Sequence, residues 1–418
     1  MKRKQILIVI SILLVASIVS YNFGVNRTGS FTDILGGQEH HSPPSVVIEP
    51  GSAVEEASYI IFKDDEGLVY AKNGDTGEVE YQDTNAATVI NWALSSLTPG
   101  RTWREKIVLK GNFTLTDSDS NGYCIDLTNQ DYTILDMYQA YFTLTDNQDA
   151  TLFYSGSGGV TNLVIQGGEI DGNKANNNAG YGLNLRLDGG FNIFRDFKIH
   201  DCKQSNIKFT GDGDDGFIMR GVNSKTTPDY GIYLKDIVDS RIYGSVFGGW
   251  DSDVYIEGGV SIWFESCYFG GASYHDPACP SNNVVVDGSR NIDFFGCTFD
   301  FASQHALLVK KDLGAQNPPH QISVIGGRIG KGSGKANGAY SAVKIEDNSW
   351  GVQITHMEFP WLASSHMTSW NQWKYLIEES DTADYNKFKD NIINSGCYAI
   401  GVNSTIGANT VVEDNIEK

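Results

Sequence analysis

Cysteine is scarce in this chain: six residues in 418, with no CxxC pair and no cysteine–histidine spacing of the kind that holds zinc. That argues against a disulfide scaffold or a zinc module as the source of the fold. Cys267 (in WFESCYF) and Cys297 (in FFGCTF) occupy matching places in successive similar segments, which fits either two stacked thiols or a bridge. Proline is also thin, 10 residues against 46 glycines, so the chain turns often and is no proline-rich linker. Basic residues are outnumbered, 31 Lys plus Arg against 51 Asp plus Glu, for a net charge of −20. Nucleic acid and anionic membrane surfaces need the opposite balance. An acidic polysaccharide is still allowed, because a local basic groove can sit on an acidic protein.

One apolar run is long enough to matter. MKRK precedes about 14 apolar residues from Ile6 to Val19, the length of a secretory signal and short for a membrane span. Residues 1–20 are expected to be a signal peptide or an uncleaved signal-anchor, which would tether the protein to a membrane. Either way the body is exported, as a secreted or cell-surface protein. Residues 21–57 lack sustained periodicity and fit a linker. Residues 58–418 are expected to form one domain. Sequons at Asn26, Asn112 and Asn403 fit export.

From about residue 106 a unit of roughly 21–34 residues recurs. Short alternating strands mark it: GLNLRL at 182, NIKFTG at 206, GIYLKD at 231, DVYIEG at 253, NVVVDG at 283 and AVKIED at 342. A second strand opens each unit, as in NLVIQGGEI, FNIFRDFKI and NIDFFGCTF. Gly, Asn and Asp separate the strands, and no amphipathic helix interrupts them. The units are too short for propeller blades. The pattern predicts an all-β fold, a right-handed parallel β-helix whose coils stack at roughly 4.8 Å. Ten or eleven coils give a rod near 50 Å long on that spacing. Thr84 to Leu97 (TNAATVINWALSSL, stopped by TPG) predicts an N-terminal capping helix.

The helix, the strand ending GNFTLTD, and GGEIDGNKANN at 167 together resemble the pectate-lyase-like β-helix superfamily, most like its polygalacturonase and tailspike branches. The resemblance covers roughly Thr84 to Asn403. It implies a polysaccharide-cleaving enzyme, and fold alone would not settle the reaction.

Alternation leaves the residues between the buried aliphatics facing outward. One outward column holds Asn184, Lys208, Tyr233, Tyr255 and Val285. Beside it stand Arg186, Thr210, Lys235, Glu257 and Asp287. Asp229 and Asp251, 22 residues apart, lead matching strands (DYGIYL and DSDVYI), with Asp253 one outward step along. Stacked carboxylates about 5 Å apart repel, which raises the pKa of one, and glycosidic cleavage needs such an acid and base. Asp229, Asp251 and Asp253 are the catalytic candidates. Trp250, Tyr233 and Tyr255 would stack on sugar rings, and Lys208 and Lys235 would hold an acidic sugar's carboxylate. The polygalacturonase pattern, NTD then DD, implies the same assignment: Asp229 for the first motif, Asp251 with Asp253 for the pair. Ser252 splits that pair, and neither GHG nor RIK appears; His275 and His305 follow without those flanks.

Three other readings stay open. A lyase would use a base such as His305, Lys310, Lys235 or a tyrosine, with Lys310, Lys311, Arg328, Lys331 and Lys335 as a basic patch. An adhesin or spike would bind glycan on the same face without cleaving it. Aspartates before strands also commonly accept backbone N–H groups and do nothing more. No cofactor is required. Calcium is the one metal candidate, at DSDSNG (117) or GDGDDG (211), though the first has Thr128 where a calcium loop needs Glu. Trp361, Trp370 and Trp373 are expected to cover the C-terminal end of the rod.

Overall fold

In strand after strand the alternating aliphatics turn inward. Leu183 and Leu185, Ile207 and Phe209, Ile232 and Leu234, and Val254 and Ile256 are fully buried. Their strands stack in register, Leu183–Arg186 on Ile207–Thr210, then Tyr230–Lys235, Ser252–Glu257, Asn282–Asp287 and Leu307–Lys310, every pairing parallel. Among the described residues eleven strands make this sheet, from Tyr123–Asp126 to Tyr398–Asn403. The computed structural model describes residues 57–418 except 213–215, 271–281, 312–317, 331, 333–337, 347, 361–371, 381, 395–396, 405 and 418. The expected leader, Cys279, His275, Lys331, Lys335, Trp361 and Trp370 lie outside the described residues, as does the middle of GDGDDG.

The second sheet, 23-stranded, supplies the other sides of each coil. Two strands per coil were expected, and most coils have three. FNIFRDFKI breaks into Phe191–Arg195 and Lys198–His200 at Asp196, whose φ of 60° turns the chain. NLVIQGGEI breaks at Gly167 and Gly168, both at positive φ, where neither could carry a side chain without striking Met137 or Tyr138. Buried amides hold the turns: Asn192 accepts from the Leu163 N–H, and Asn206 accepts from Cys202 N–H while donating to the Lys225 carbonyl. Aromatic rings fill the interior, Phe264 stacked on Phe294 at 4.9 Å and Phe269 tilted against Phe299 at 4.9 Å. This is a parallel β-helix.

The N-terminal part departs from expectation. Tyr59–Lys63, Val69–Asn73 and Val79–Asp83 form an antiparallel meander, not parallel coil strands. DDEG and NGDTG between them are hairpin turns in sequence terms. Tyr59–Lys63 then pairs in parallel with Glu105–Leu115 and so joins the meander to the solenoid. The helix is present as Ala86–Ser95, and its N-cap is Asn85, not Thr84, accepting the Ala87 N–H. Trp92 stacks on Tyr81, and Asn91 exchanges hydrogen bonds with the backbone of Cys124 and Asp126. Trp373 is a buried core residue whose indole N–H donates to the Gly330 carbonyl. Cys267 and Cys297 are buried free thiols. No helix among the described residues is long and apolar enough to cross a membrane.

Candidate functional site

The register of the eleven-stranded sheet lines up Tyr154, Asn184, Lys208, Tyr233, Tyr255 and Val285 in one outward column. The second column runs Arg186, Thr210, Lys235, Glu257, Asp287 and Lys310. At the leading edge Asp229 and Asp251 sit on consecutive coils, the Asp251 N–H donating to the Asp229 carbonyl at 3.0 Å. Glycines permit this close stacking. A Cβ on Gly249 would lie 2.3 Å from the Ser252 carbonyl oxygen and 2.6 Å from that of Asp229. One on Gly231 would lie 2.6 Å from the Asp253 carbonyl oxygen.

Asp229 is half-buried, and its carboxyl is raised above the ordinary carboxylate range, first by burial and then by the charge of Asp251. Asp251 is exposed. Asp253 is not: the strand's alternation fails at Ser252–Asp253, and the side chain is 2% exposed. Its Oδ1 accepts from the Gly249 N–H at 2.9 Å and its Oδ2 from the Asn283 amide at 2.8 Å. The expected outward step places Asp253 inside the corner of the coil instead. Burial raises its carboxyl well above the usual range, against those two hydrogen bonds.

Tyrosines crowd the open face. Tyr230 lies 5.4 Å from Tyr233 and 5.0 Å from Tyr255, ring centre to ring centre. The Tyr233 hydroxyl donates to Glu257, which also takes the Lys235 ammonium at 2.7 Å. One coil on, the Tyr255 hydroxyl donates to Asp287 at 2.7 Å, and Lys310 stands 3.7 Å from the same carboxylate. Lys235 and Lys310 are therefore already neutralised within the protein. Lys208 is different. Its Nζ sits over the rings of Tyr181 (5.2 Å) and Tyr233 (5.9 Å) and has no ion pair among the described residues. Burial, and then the charge of Lys235, hold it below the usual lysine range. Trp250 is exposed at the corner, with Lys174 5.8 Å from its ring centre.

His305 lies beneath the surface, 8% exposed, its Nδ1–H donating to the Ser341 carbonyl at 2.7 Å. Burial pushes its pKa down to about 4. It does not share the open face with the aspartates. In the basic patch Arg328 is paired with Asp300.

Tyr181 and Tyr230 were missed by sequence reasoning, because both precede the alternating part of their strands. The signal was there: each stands at the residue before the glycine that opens GLNLRL or GIYLKD. A further cluster, Asp171, His200 and Asp201, brings three ligand-type atoms within 4.8 Å of one another. Lys174 already pairs with Asp201 at 2.8 Å, and the His200 ring nitrogens meet Asp201 and Glu169. In DSDSNG, Asp117 accepts the N–H groups of Asn121 and Gly122, the pattern of a polar turn.

No family model matches the sequence, and no curated protein matches it. Solved structures do match the fold. The A-module of mannuronan C-5 epimerase AlgE6 from Azotobacter vinelandii superposes with a TM-score of 0.56 at 13% identity, over 80% of this chain and 95% of that one. The AlgE4 A-module of the same organism gives 0.53 at 16% identity, over 79% and 96%. Tailspike protein 2 of Escherichia coli O157:H7 bacteriophage CAB120 gives 0.58 at 9% identity, over 80% and 45%. At such identities the likeness is one of fold alone: the chain shares a parallel β-helix with these proteins.

Proposed function

We propose that the protein is an exported polysaccharide-processing enzyme that hydrolyses glycosidic bonds, with Asp229 as the acid and Asp251 as the base. The observation that carries this reading is the placement of the two aspartates on consecutive coils, joined backbone to backbone, one half-buried with its carboxyl raised by the charge of the other, which is exposed. Burial and the charge of Asp251 favour the protonated form of Asp229, the form that can give a proton to the leaving oxygen, and the exposed Asp251 is placed to take one from water. Asp253 holds the corner from inside. Tyr233, Tyr255 and Trp250 offer faces to sugar rings. Lys208, a half-buried cation with no ion pair among the described residues, favours an anionic sugar at the adjoining position. Two of the structural neighbours are modules of mannuronan C-5 epimerases, which supports a polysaccharide as the ligand. The same reading takes residues 1–20 as the export segment, 58–418 as one domain and the helix Ala86–Ser95 as its N-terminal cap.

A second reading is β-elimination on a uronate, favoured by the depressed ammonium of Lys208, which would serve as base. Tyrosine is the weaker candidate for that role. Burial raises the Tyr230 and Tyr233 phenols, with Asp251 and Glu257 adding to it, so both hold their protons.

A panel of neutral and acidic polysaccharides separates the readings. Hydrolysis yields reducing ends alone, elimination adds an unsaturated uronate, and a binding protein yields neither. On the active substrate, Asp229→Asn and Asp251→Asn should each lose on the order of 10²–10⁴-fold in rate with the fold intact. If both retain wild-type rate, the acid–base assignment is wrong. Dialysis against a chelator should leave the rate unchanged.

A further inference from the structure

We infer that the bound glycan extends from Asp229 and Asp251 toward the N-terminal end of the rod, over Tyr181, Asn184 and Tyr154, and does not continue toward its C-terminal end. This rests on the reading of the face as a glycan site, and adds the direction and the residues of its outer positions.

Three observations point the same way. First, the polar groups from the Asp229 coil onward toward the C-terminus are spent on one another: Tyr233 and Lys235 on Glu257, Tyr255 on Asp287. On the N-terminal side they are not. The hydroxyls of Tyr154 and Tyr181 and the side-chain amide of Asn184 have no hydrogen-bond partner among the described residues, and the Arg186 Nε is buried without one, although the Arg186 Nη2 meets Asp212 at 3.5 Å. With Lys208 between them, these groups form a run of donors and acceptors suited to sugar hydroxyls and one carboxylate.

Second, the face closes on the C-terminal side. Every residue of Asn282–Asp287 is buried, with the outward Val285 and Asp287 each 2% exposed. The outward positions of Leu183–Arg186 and Ile207–Thr210 are only partly covered. Third, an aromatic platform stands at the far N-terminal end. Tyr154 stacks on Tyr123 at 4.5 Å and 14°, and a Cβ on Gly156 would lie 3.0 Å from the Tyr154 hydroxyl, so glycine leaves room for the ring to lie there. From the strand of Tyr154 to that of Tyr233 is three strand spacings, roughly 14 Å, the reach of a short oligosaccharide.

The test uses the full chain carrying Asp229→Asn, so that substrate is bound and not consumed. Affinity is measured by calorimetry for galacturonate and mannuronate oligomers from disaccharide to octasaccharide, with manno-oligosaccharides as the neutral series. Affinity should rise with length, and adding Tyr154→Ala should remove roughly 3- to 10-fold from the longer oligomers while leaving the disaccharide unchanged. Tyr154→Phe should fall between, since it keeps the ring. Lys344→Ala, in the same column beyond the closed strand, should leave every length unaffected. A loss with Lys344→Ala and none with Tyr154→Ala reverses the direction and overturns the inference, although the face remains a glycan site. An equal loss at all lengths overturns it too, because Tyr154 would then act on the fold. Absence of binding in every series overturns the glycan reading itself.

Discussion

Three aspartates that look alike in sequence have three different fates. Asp251 faces solvent, Asp229 is half-buried beside it, and Asp253 is enclosed. Both oxygens of Asp253 accept from N–H donors, so an amide there would point its own N–H₂ at a donor. Asp253→Asn should therefore cost about 1–3 kcal/mol of stability, read as a lower melting temperature, while Asp229→Asn and Asp251→Asn melt near wild type. A well-folded, inactive Asp253→Asn would instead place Asp253 in the chemistry. Asp229 also makes a pH prediction. Burial and the charge of Asp251 both raise its carboxyl, so it binds its proton more tightly folded than unfolded. Its contribution favours the fold below the ordinary value of 3.8 and is lost as pH rises through the raised value. Carboxyl-carbon NMR should show Asp229 titrating above 3.8, and Asp251→Asn should bring it down. No downward movement would mean the two charges do not interact.

At the scale of the strand, the period-two pattern was enough to order the outward columns from Asn184 to Val285, because parallel in-register stacking converts sequence phase directly into position. The pattern could not show where a run bends. FNIFRDFKI looks continuous until Asp196 takes a left-handed φ, and NIDFFGCTF stays one strand although Gly296 does the same. Nor could it show which outward residues are covered: Val285 and Tyr255 share a column, yet Val285 is buried. Nor could it show that His305 lies under the surface or that Lys235 is paired with Glu257, both results of contacts between coils. The corner that joins Asp229 to Asp251 is the most exacting element. Gly249→Ala must push against two backbone oxygens, neither of which can swing aside like a side chain. It should separate the coils locally, lower the melting temperature, and reduce activity as far as loss of either aspartate. A variant with wild-type rate would show that the stacking of the two coils is not needed for the chemistry.

Across the whole molecule, one apolar core runs without a break from Tyr59 in the meander to Cys397 near the last coils. Each coil is covered by its neighbours, so interior coils cannot open without exposing the rings of the next, as Phe264, Phe294 and Phe299 show. Against that cohesion stands a net charge of −20. Self-repulsion of that size weakens the compact state at low ionic strength, and salt screens it once the Debye length falls to about 8 Å at 0.15 M. The surface pairs, such as Lys198 with Glu169 and Lys235 with Glu257, weaken in the same salt, but each is exposed enough to contribute little. Repulsion should dominate the balance. Calorimetric unfolding of the body from Ser58 should thus be a single transition that moves upward between low-salt buffer and 0.15 M salt. Two separate transitions would mean that the meander or the last coils fold apart from the rest. A downward shift would mean that paired charges hold the rod together more than its like charges strain it.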